Sequence, residues 1–285
     1  MITSEINIKS NVESVWKALT DKIQMGEWYF DIPDFELEVG KIFNFYEPGT
    51  AKLFHHQCVI KSIEPNKKFS HTWTHPSHSK GESLLTWLLE EKDGITKVVL
   101  QHEGLENFAD AGPEFAPENY QMGWDGYIAM LKNYVYGIRK HTYQIEISAS
   151  KKRVWKTLFG EKTYGLWTAA FCEGAYYKGT LDVGSRIHFL SVGGSGMYAD
   201  VVFSKPNKSI YFQHLGELTD FIEQPINEKT ERWSGAFENY ILVKSAGKTL
   251  LTVEVDLSPD YVDFFDNAFP LGLKKVKELS EIPSL

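Results

Sequence analysis

The chain repeats itself at long range. Val15-Trp16-Lys17 returns as Val154-Trp155-Lys156, and Trp28 returns as Trp167, both 139 residues on. Ile6-Asn7-Ile8 returns as Ile145-Glu146-Ile147 at the same offset. Val39-Gly40 pairs with Val183-Gly184 at 144 residues, and Pro65-Asn66-Lys67 with Pro206-Asn207-Lys208 at 141. Such drift needs only short loop insertions, which surface loops tolerate. Chance matches of common tripeptides would not fall in order at nearly one offset. The period is far longer than a solenoid unit and matches a whole domain. The chain must therefore fold as two copies of one domain, expected at residues 1–140 and 141–285. No Gly/Ser/Pro linker marks the junction near Arg139 to Thr142.

Each half carries the same order of elements. The first opens on an alternating strand, Ile2 to Ile8. Ser10 precedes Glu13 in capping-box spacing, and Val12, Val15, Trp16 and Leu19 follow at helical intervals. Strand-like runs come next at Lys41–Tyr46, His56–Ile63, Lys68–His75, Ser83–Glu91 and Lys97–Glu103. Asp93-Gly94 between the last two signals a hairpin. Pro117 then opens a long helical pattern with Trp124, Tyr127, Ile128, Leu131, Val135 and Ile138 on one stripe. The second half runs through Gln144–Ser148, a helix with Val154, Trp155, Leu158 and Phe159, five further strands and a helical tail from Ser258 to Glu281. Pro270 interrupts that tail: the final helix either starts near it or kinks there, and aligning Leu271-Gly272 with Met122-Gly123 favours a restart after a short preceding helix. The fold class is α+β: in each half a curved antiparallel sheet wraps a long C-terminal helix, leaving room for a pocket between them.

Composition excludes several functions. A net charge of −8 argues against a nucleic-acid binder, which needs a basic face for the phosphates, and disfavours a polybasic membrane-surface protein. Two cysteines, Cys58 and Cys172, make no disulfide scaffold, and both sit among apolar residues, where a thiol is expected to be buried and inert. No apolar run reaches about 18 residues, so no membrane insertion is expected. The start Met1-Ile2-Thr3-Ser4-Glu5 has no signal-peptide pattern, and the chain is expected in the cytoplasm.

Asn11 to Asp21 with its Val-Trp-Lys core, Trp28, Val39-Gly40-Lys41-Ile42-Phe43, Ile63-Glu64-Pro65-Asn66-Lys67 and Trp73 form a recognisable set. The run from Gly94 to Gly104 and Gly123-Trp124 complete it. The set resembles the START-like or SRPBCC superfamily, the helix-grip fold, and within it the Hsp90-ATPase-activator C-terminal-domain-like family. The second half matches more loosely, keeping Val154-Trp155-Lys156, Trp167 and Gly184. Its Gly193-Gly194-Ser195-Gly196 hairpin and His214-Leu215-Gly216-Glu217 are similar to other ligand-binding members. The resemblance implies a cavity-bearing module. Relatives bind sterols, lipids, polyketides or plant hormones, some are cyclases, and the namesake branch is a co-chaperone.

Period-two alternation places Phe69, His71, Trp73 and His75 on one strand face, and Val98, Leu100 and His102 on another. His71, Trp73 and His102 are then drawn inward, either lining a mixed pocket or bonded within the core. In the second half Ile210, Phe212 and His214 share a face, as do Glu238, Tyr240 and Leu242. Glu238 beside His214 would make an acid/base pair if both faced inward. Arg232-Trp233 precedes a strand, and Arg232 there could clamp a carboxylate at the pocket mouth or pair with a nearby Glu. His71 and His75 lie about 13 Å apart along a strand, too far to share a zinc bound at about 2 Å. No metal and no cofactor are expected. Neither a nucleophile elbow nor a phosphate loop is present. The expected partner is a small apolar or amphipathic molecule, bound without chemistry by His214, Tyr240, Glu238, Trp233, Phe212 and Arg232, with His71, Trp73 and His102 in the first half. A protein partner, as for a co-chaperone-like module, and an enzyme using the pocket pair are the alternatives.

Overall fold

A computed structural model describes residues 1–47 and 53–282. They divide into two units, Met1–Tyr136 and Gly137–Leu285.

In the first unit, β1 (Ile2–Ile8), α1 (Val12–Thr20) and α2 (Lys22–Trp28) precede a run of strands: β2 (Ile42–Tyr46), β3 (His55–Glu64), β4 (Lys68–Thr74), β5 (Glu82–Lys92) and β6 (Ile95–Glu103). The long α3 (Pro117–Val135) closes the unit. The sheet is antiparallel in the order β1-β6-β5-β4-β3-β2. Helix α1 is capped by Asn11, whose side chain accepts from the Ser14 amide at 2.9 Å, and not by the Ser10 box expected from sequence. Asp93 and Gly94 both take positive φ, giving the tight turn that Asp-Gly signals.

The second unit holds β7 (Arg139–Ile147), α4 (Lys151–Phe159), α5 (Glu161–Thr168), β8 (Tyr176–Lys178), β9 (Arg186–Leu190) and β10 (Gly196–Lys205). It continues with β11 (Ser209–Thr219), β12 (Ile222–Glu223), β13 (Phe237–Ser245), β14 (Lys248–Leu257) and α6 (Val262–Glu281). The sheet order is β7-β14-β13-β11-β10-β9-β8, with β12 beside β11. The second helix of each unit and the short strands β8 and β12 have no clear signature in the sequence.

The two units repeat small devices as well as elements. Trp28 Nε1 donates to the Ala18 carbonyl at 2.8 Å, and Trp167 Nε1 to that of Leu158 at 2.9 Å. Each indole thus ties the second helix to the end of the first. Thr96 Oγ1 donates to Ser10 O, and Thr249 Oγ1 to Ala149 O, both at 2.7 Å. Asn66 and Asn207 hold the same left-handed turn, with φ of 62° and 63°. The β3–β4 register shifts between Ile60 and Ser62, and the β10–β11 register between Val201 and Phe203, 141 residues later. A bulge bends its strand and strengthens twist, so each sheet curls at the same place. The Gly-Gly-Ser-Gly hairpin joins β9 to β10. Gly194 has φ +81°, and a Cβ on Gly196 would lie 1.9 Å from the Phe189 carbonyl, so neither position takes a larger residue without strain.

The concave faces are covered by the long helices. Trp124, Ile128 and Leu131 of α3 are buried against the first core. Asp125 accepts from Ser4 Oγ at 2.6 Å, tying α3 to β1. In the second unit Phe269, Leu273 and Val276 of α6 fill the same role, and Asp266 accepts from Tyr143 OH at 2.5 Å. Helix α6 does not restart at Pro270 but runs through it. Proline forfeits one backbone bond there. The buried stripe of Ala268, Phe269, Gly272, Leu273, Val276 and Leu279 continues on both sides, and its burial carries the helix across.

Candidate functional site

Two adjoining cavities open under the sheet of the second unit, of about 300 Å³ and 340 Å³. His214, Glu238, Met197, Phe264 and Phe265 line both. The first is walled by aromatic rings from α4 and α5 (Phe159, Tyr164, Trp167), from the following loop (Phe171), from β9 and β11 (Phe189, Phe212) and from α6 (Phe269). Phe212 lies opposite Glu238, and Ile210 opposite Tyr240, in the β11–β13 register. This pairing brings His214 diagonally onto Glu238. His214 Nε2 meets Glu238 Oε2 at 2.9 Å. Tyr240 OH donates to the other carboxylate oxygen, Oε1. Burial pushes the Glu238 carboxyl up, but the hydrogen bonds from His214 and Tyr240 outweigh it and hold it below its ordinary range. Tyr240 is pushed far up by burial and by Glu238, so it stays a neutral donor. His214 is 6% exposed, and its Nδ1 has no protein partner.

The acid/base pair anticipated from β11 and β13 is thus in contact. Phe212 and Tyr240 line the first cavity, and Trp233 lines the second. Arg232 is different: it is exposed and lines neither cavity. It ends a short turn, Thr230–Arg232, whose buried residue is Thr230. Cys172 is exposed and lines the first cavity, against the expectation of a buried thiol, because it sits in the loop after α5 rather than in a strand. Arg186 and His188 point away from this site, to Asp200 and Glu223.

The first unit has its own cavity, about 490 Å³, lined by Phe30, Glu47, Phe54, His56, Trp73, His75, Phe115, Tyr120, Trp124 and Tyr127 among others. Only Trp73 of the three residues expected here lines it. His71 is fully enclosed; its Nδ1 meets the Thr72 carbonyl at 2.9 Å. His102 closes an internal chain. Trp124 Nε1 donates to His102 Nδ1 at 3.0 Å, so the ring's proton sits on Nε2, which meets Ser83 Oγ at 2.7 Å. Ser83 Oγ passes its own proton to the Trp73 carbonyl at 3.2 Å. Both ring nitrogens of His102 are used, so it serves the core rather than a ligand, and His71 lies outside the cavity lining. Burial holds their pKa values down, to about 4 for His71 and about 3 for His102, so both are neutral.

Of the polar residues lining this cavity, His56 and Tyr120 went unread in the sequence, and His75 was placed only on the strand face it shares with His71 and Trp73. His75 Nε2 meets Tyr120 OH at 2.5 Å, and its Nδ1 is unpartnered. His56 Nε2 lies 3.3 Å from Glu47 Oε1, outside hydrogen-bond geometry, and its Nδ1 is unpartnered. Trp73 Nε1 also lacks a partner. His75 continues the face of Phe69, His71 and Trp73, and His56, Cys58 and Ile60 alternate inward on β3; that period-two signal could have found both. Among the described residues no group of three or more His, Cys, Asp or Glu is placed to hold a metal, and no helix is long and apolar enough to cross a membrane.

Residues 9–136 match the family described as Activator of Hsp90 ATPase homolog 1-like protein. No match was found among curated proteins. Among solved structures, the chain is similar to the Aha1 dimer from Colwellia psychrerythraea, at 22% identity over 51% of this chain and 98% of that one, with a TM-score of 0.40. It is similar over nearly its whole length to two others. One is the di-domain ARO/CYC StfQ from the steffimycin biosynthetic pathway, at 8% identity over 99% of this chain and 98% of that one, TM-score 0.39. The other is DynU16, from the dynemicin biosynthetic locus, at 13% identity over 98% of both chains, TM-score 0.40. Likeness at these scores carries no functional argument, and the chemistry rests on the chain's own residues.

Proposed function

We propose that the chain, whose residues 9–136 match the family described as Activator of Hsp90 ATPase homolog 1-like protein, binds a small amphipathic molecule in its second unit. One observation carries this reading: an aromatic cavity whose wall holds the His214–Glu238–Tyr240 cluster, with His214 Nδ1 left without a protein partner. An unpaired buried nitrogen costs roughly 1–3 kcal/mol, which a bound polar group recovers. Glu238 accepts a hydrogen bond from His214 Nε2–H, and the tautomer that makes this bond presents a lone pair at Nδ1. The complementary ligand has an apolar, preferably aromatic, body and one hydroxyl that donates to that nitrogen. The rings of Phe212, Trp167 and Phe269 supply the apolar contact, with Trp233 beyond the pair.

Native mass spectrometry of the purified protein, followed by denaturing extraction, tests this. A retained apolar molecule with a hydroxyl end supports the reading. Retention of a strongly anionic or wholly polar molecule by the second unit counts against it.

General-base chemistry is the second reading, favoured by the same pair. A carboxylate that orients an imidazole through Nε2 leaves Nδ1 to accept a proton from a bound substrate. Turnover of the co-purified molecule, abolished by His214→Gln while binding persists, would select it over simple binding.

A further inference from the structure

We infer that the cavity of the first unit is a second binding site, for an uncharged aromatic ligand that carries a hydrogen-bond acceptor beside a donor, of the carboxamide kind. The site is built around three rings. His56 stands between Trp73 and His75, with ring centroids 4.7 Å and 4.8 Å away, and Trp73 and His75 are 6.4 Å apart. All three are at least 97% buried, all three line the cavity, and each has at least one ring nitrogen without a hydrogen-bond partner. Leaving so many buried polar atoms unmet is costly. In the same unit His102 is saturated to its last valence. The contrast separates a core histidine from a wall that waits for a ligand.

The proton inventory fixes the ligand's chemistry. Trp73 Nε1 can only donate. Burial keeps Tyr120 a neutral phenol, its pKa raised far above the ordinary value. Burial and the neighbouring imidazoles hold His75 neutral, at about 3. Tyr120 OH therefore donates to His75 Nε2, and the His75 proton sits on Nδ1 as a second donor. His56 turns Nε2 toward the Glu47 carboxylate, so its proton belongs there and Nδ1 is an acceptor. Two donors and one acceptor around one point match a carbonyl oxygen with an adjacent N–H. An anion is disfavoured, because Glu47 and Glu114 line the same cavity and, among the described residues, no cationic side chain does. Phe30, Phe115 and Tyr127 supply the surface for a ring.

This site is independent of the one proposed in the second unit, and the test separates them. Full-length protein with 15N-labelled histidine and tryptophan is titrated with benzamide, benzoate and toluene by NMR. Benzamide is expected to move the ring nitrogens of His56 and His75 and the Trp73 indole N–H. Benzoate is expected to bind at least tenfold more weakly. Trp73→Phe, which removes one donor, should weaken benzamide roughly five- to tenfold, the worth of one buried hydrogen bond, while His214→Phe leaves it unchanged. Benzoate binding as tightly as benzamide, toluene binding as tightly as benzamide, or benzamide shifts confined to His214 would each overturn the assignment. So would the absence of any shift, which would leave the wall to ordered water alone.

Discussion

At the residue scale, the duplication turns one scaffold to two chemistries. His214 stands where the first copy has Trp73, 141 residues earlier. The strand registers carry the comparison further: Phe69 faces Trp87 and His71 faces Leu85, whereas Ile210 faces Tyr240 and Phe212 faces Glu238. The second copy thus carries His, Glu and Tyr where the first carries Trp, Leu and Trp. Titration follows from this. The Glu238 carboxyl is held below its ordinary range, so its contribution to stability is present above about pH 4.3, the unfolded value. It is lost as pH falls through the lower folded value. Chemical denaturation between pH 6 and 3 should show wild type losing stability faster than Glu238→Gln below about pH 4.5; parallel curves would refute the pairing. In the first unit His71, His75 and His102 are held neutral, at about 4, 3 and 3. Folding there favours the uncharged rings. Stability is complete above about pH 6.5 and falls as pH drops, by up to about 1.4 kcal/mol per unit for each ring. Hydrogen exchange of β4 amides should accelerate on acidification from pH 6.5 to 4.5, after correction for intrinsic rate, more than that of β11 amides.

At the element scale, the strands were the most legible part of the sequence and the helix ends the least. Alternation over Leu250–Leu257 reports a sheet with one face buried, and the structure keeps that face; on β4 the inward set Phe69, His71 and Trp73 is buried as expected, but Ser70 and Thr72 on the other face are buried too. The first helix's cap slipped by one residue because Ser10 and Asn11 are both good caps and only the backbone decides between them. Pro270 misled more seriously, since local propensity argued for a break that the packed stripe of α6 overrides. Replacing Pro270 with Ala should therefore stabilise the second unit by about 1–3 kcal/mol, the cost of an interior helical proline. A loss of stability on urea denaturation would mean that the helix needs its proline. Within the site, pairing of His214 with Glu238 was readable from shared strand faces. The isolation of His71 and His102 from the cavity was not, because alternation reveals which face a residue takes and not whether it reaches the cavity or, as for His102, has its nitrogens already bonded. The short helices α2 and α5 are held by Trp28 and Trp167 through one hydrogen bond each. Trp28→Phe and Trp167→Phe should each cost roughly 1–2 kcal/mol, and by similar amounts.

At the scale of the whole molecule, the chain is two cavity-bearing units with unlike walls. One is rich in neutral donors and acceptors around His56, Trp73 and His75; the other is an aromatic chamber ending on a carboxylate–imidazole pair. A family likeness confined to residues 9–136 speaks for the fold of the first. Function is argued from the walls, and the central claim is that His214 Nδ1 receives the polar end of a ligand in the second unit. The most direct measurement is the 15N shift of His214 Nδ1 during titration of the full chain with 2-naphthol, an aromatic body with one hydroxyl. The account predicts a saturable shift at that nitrogen, accompanied by perturbation of the Trp167 indole and absent with naphthalene. Binding of 2-naphthol that leaves His214 untouched, or no binding at all, would contradict it.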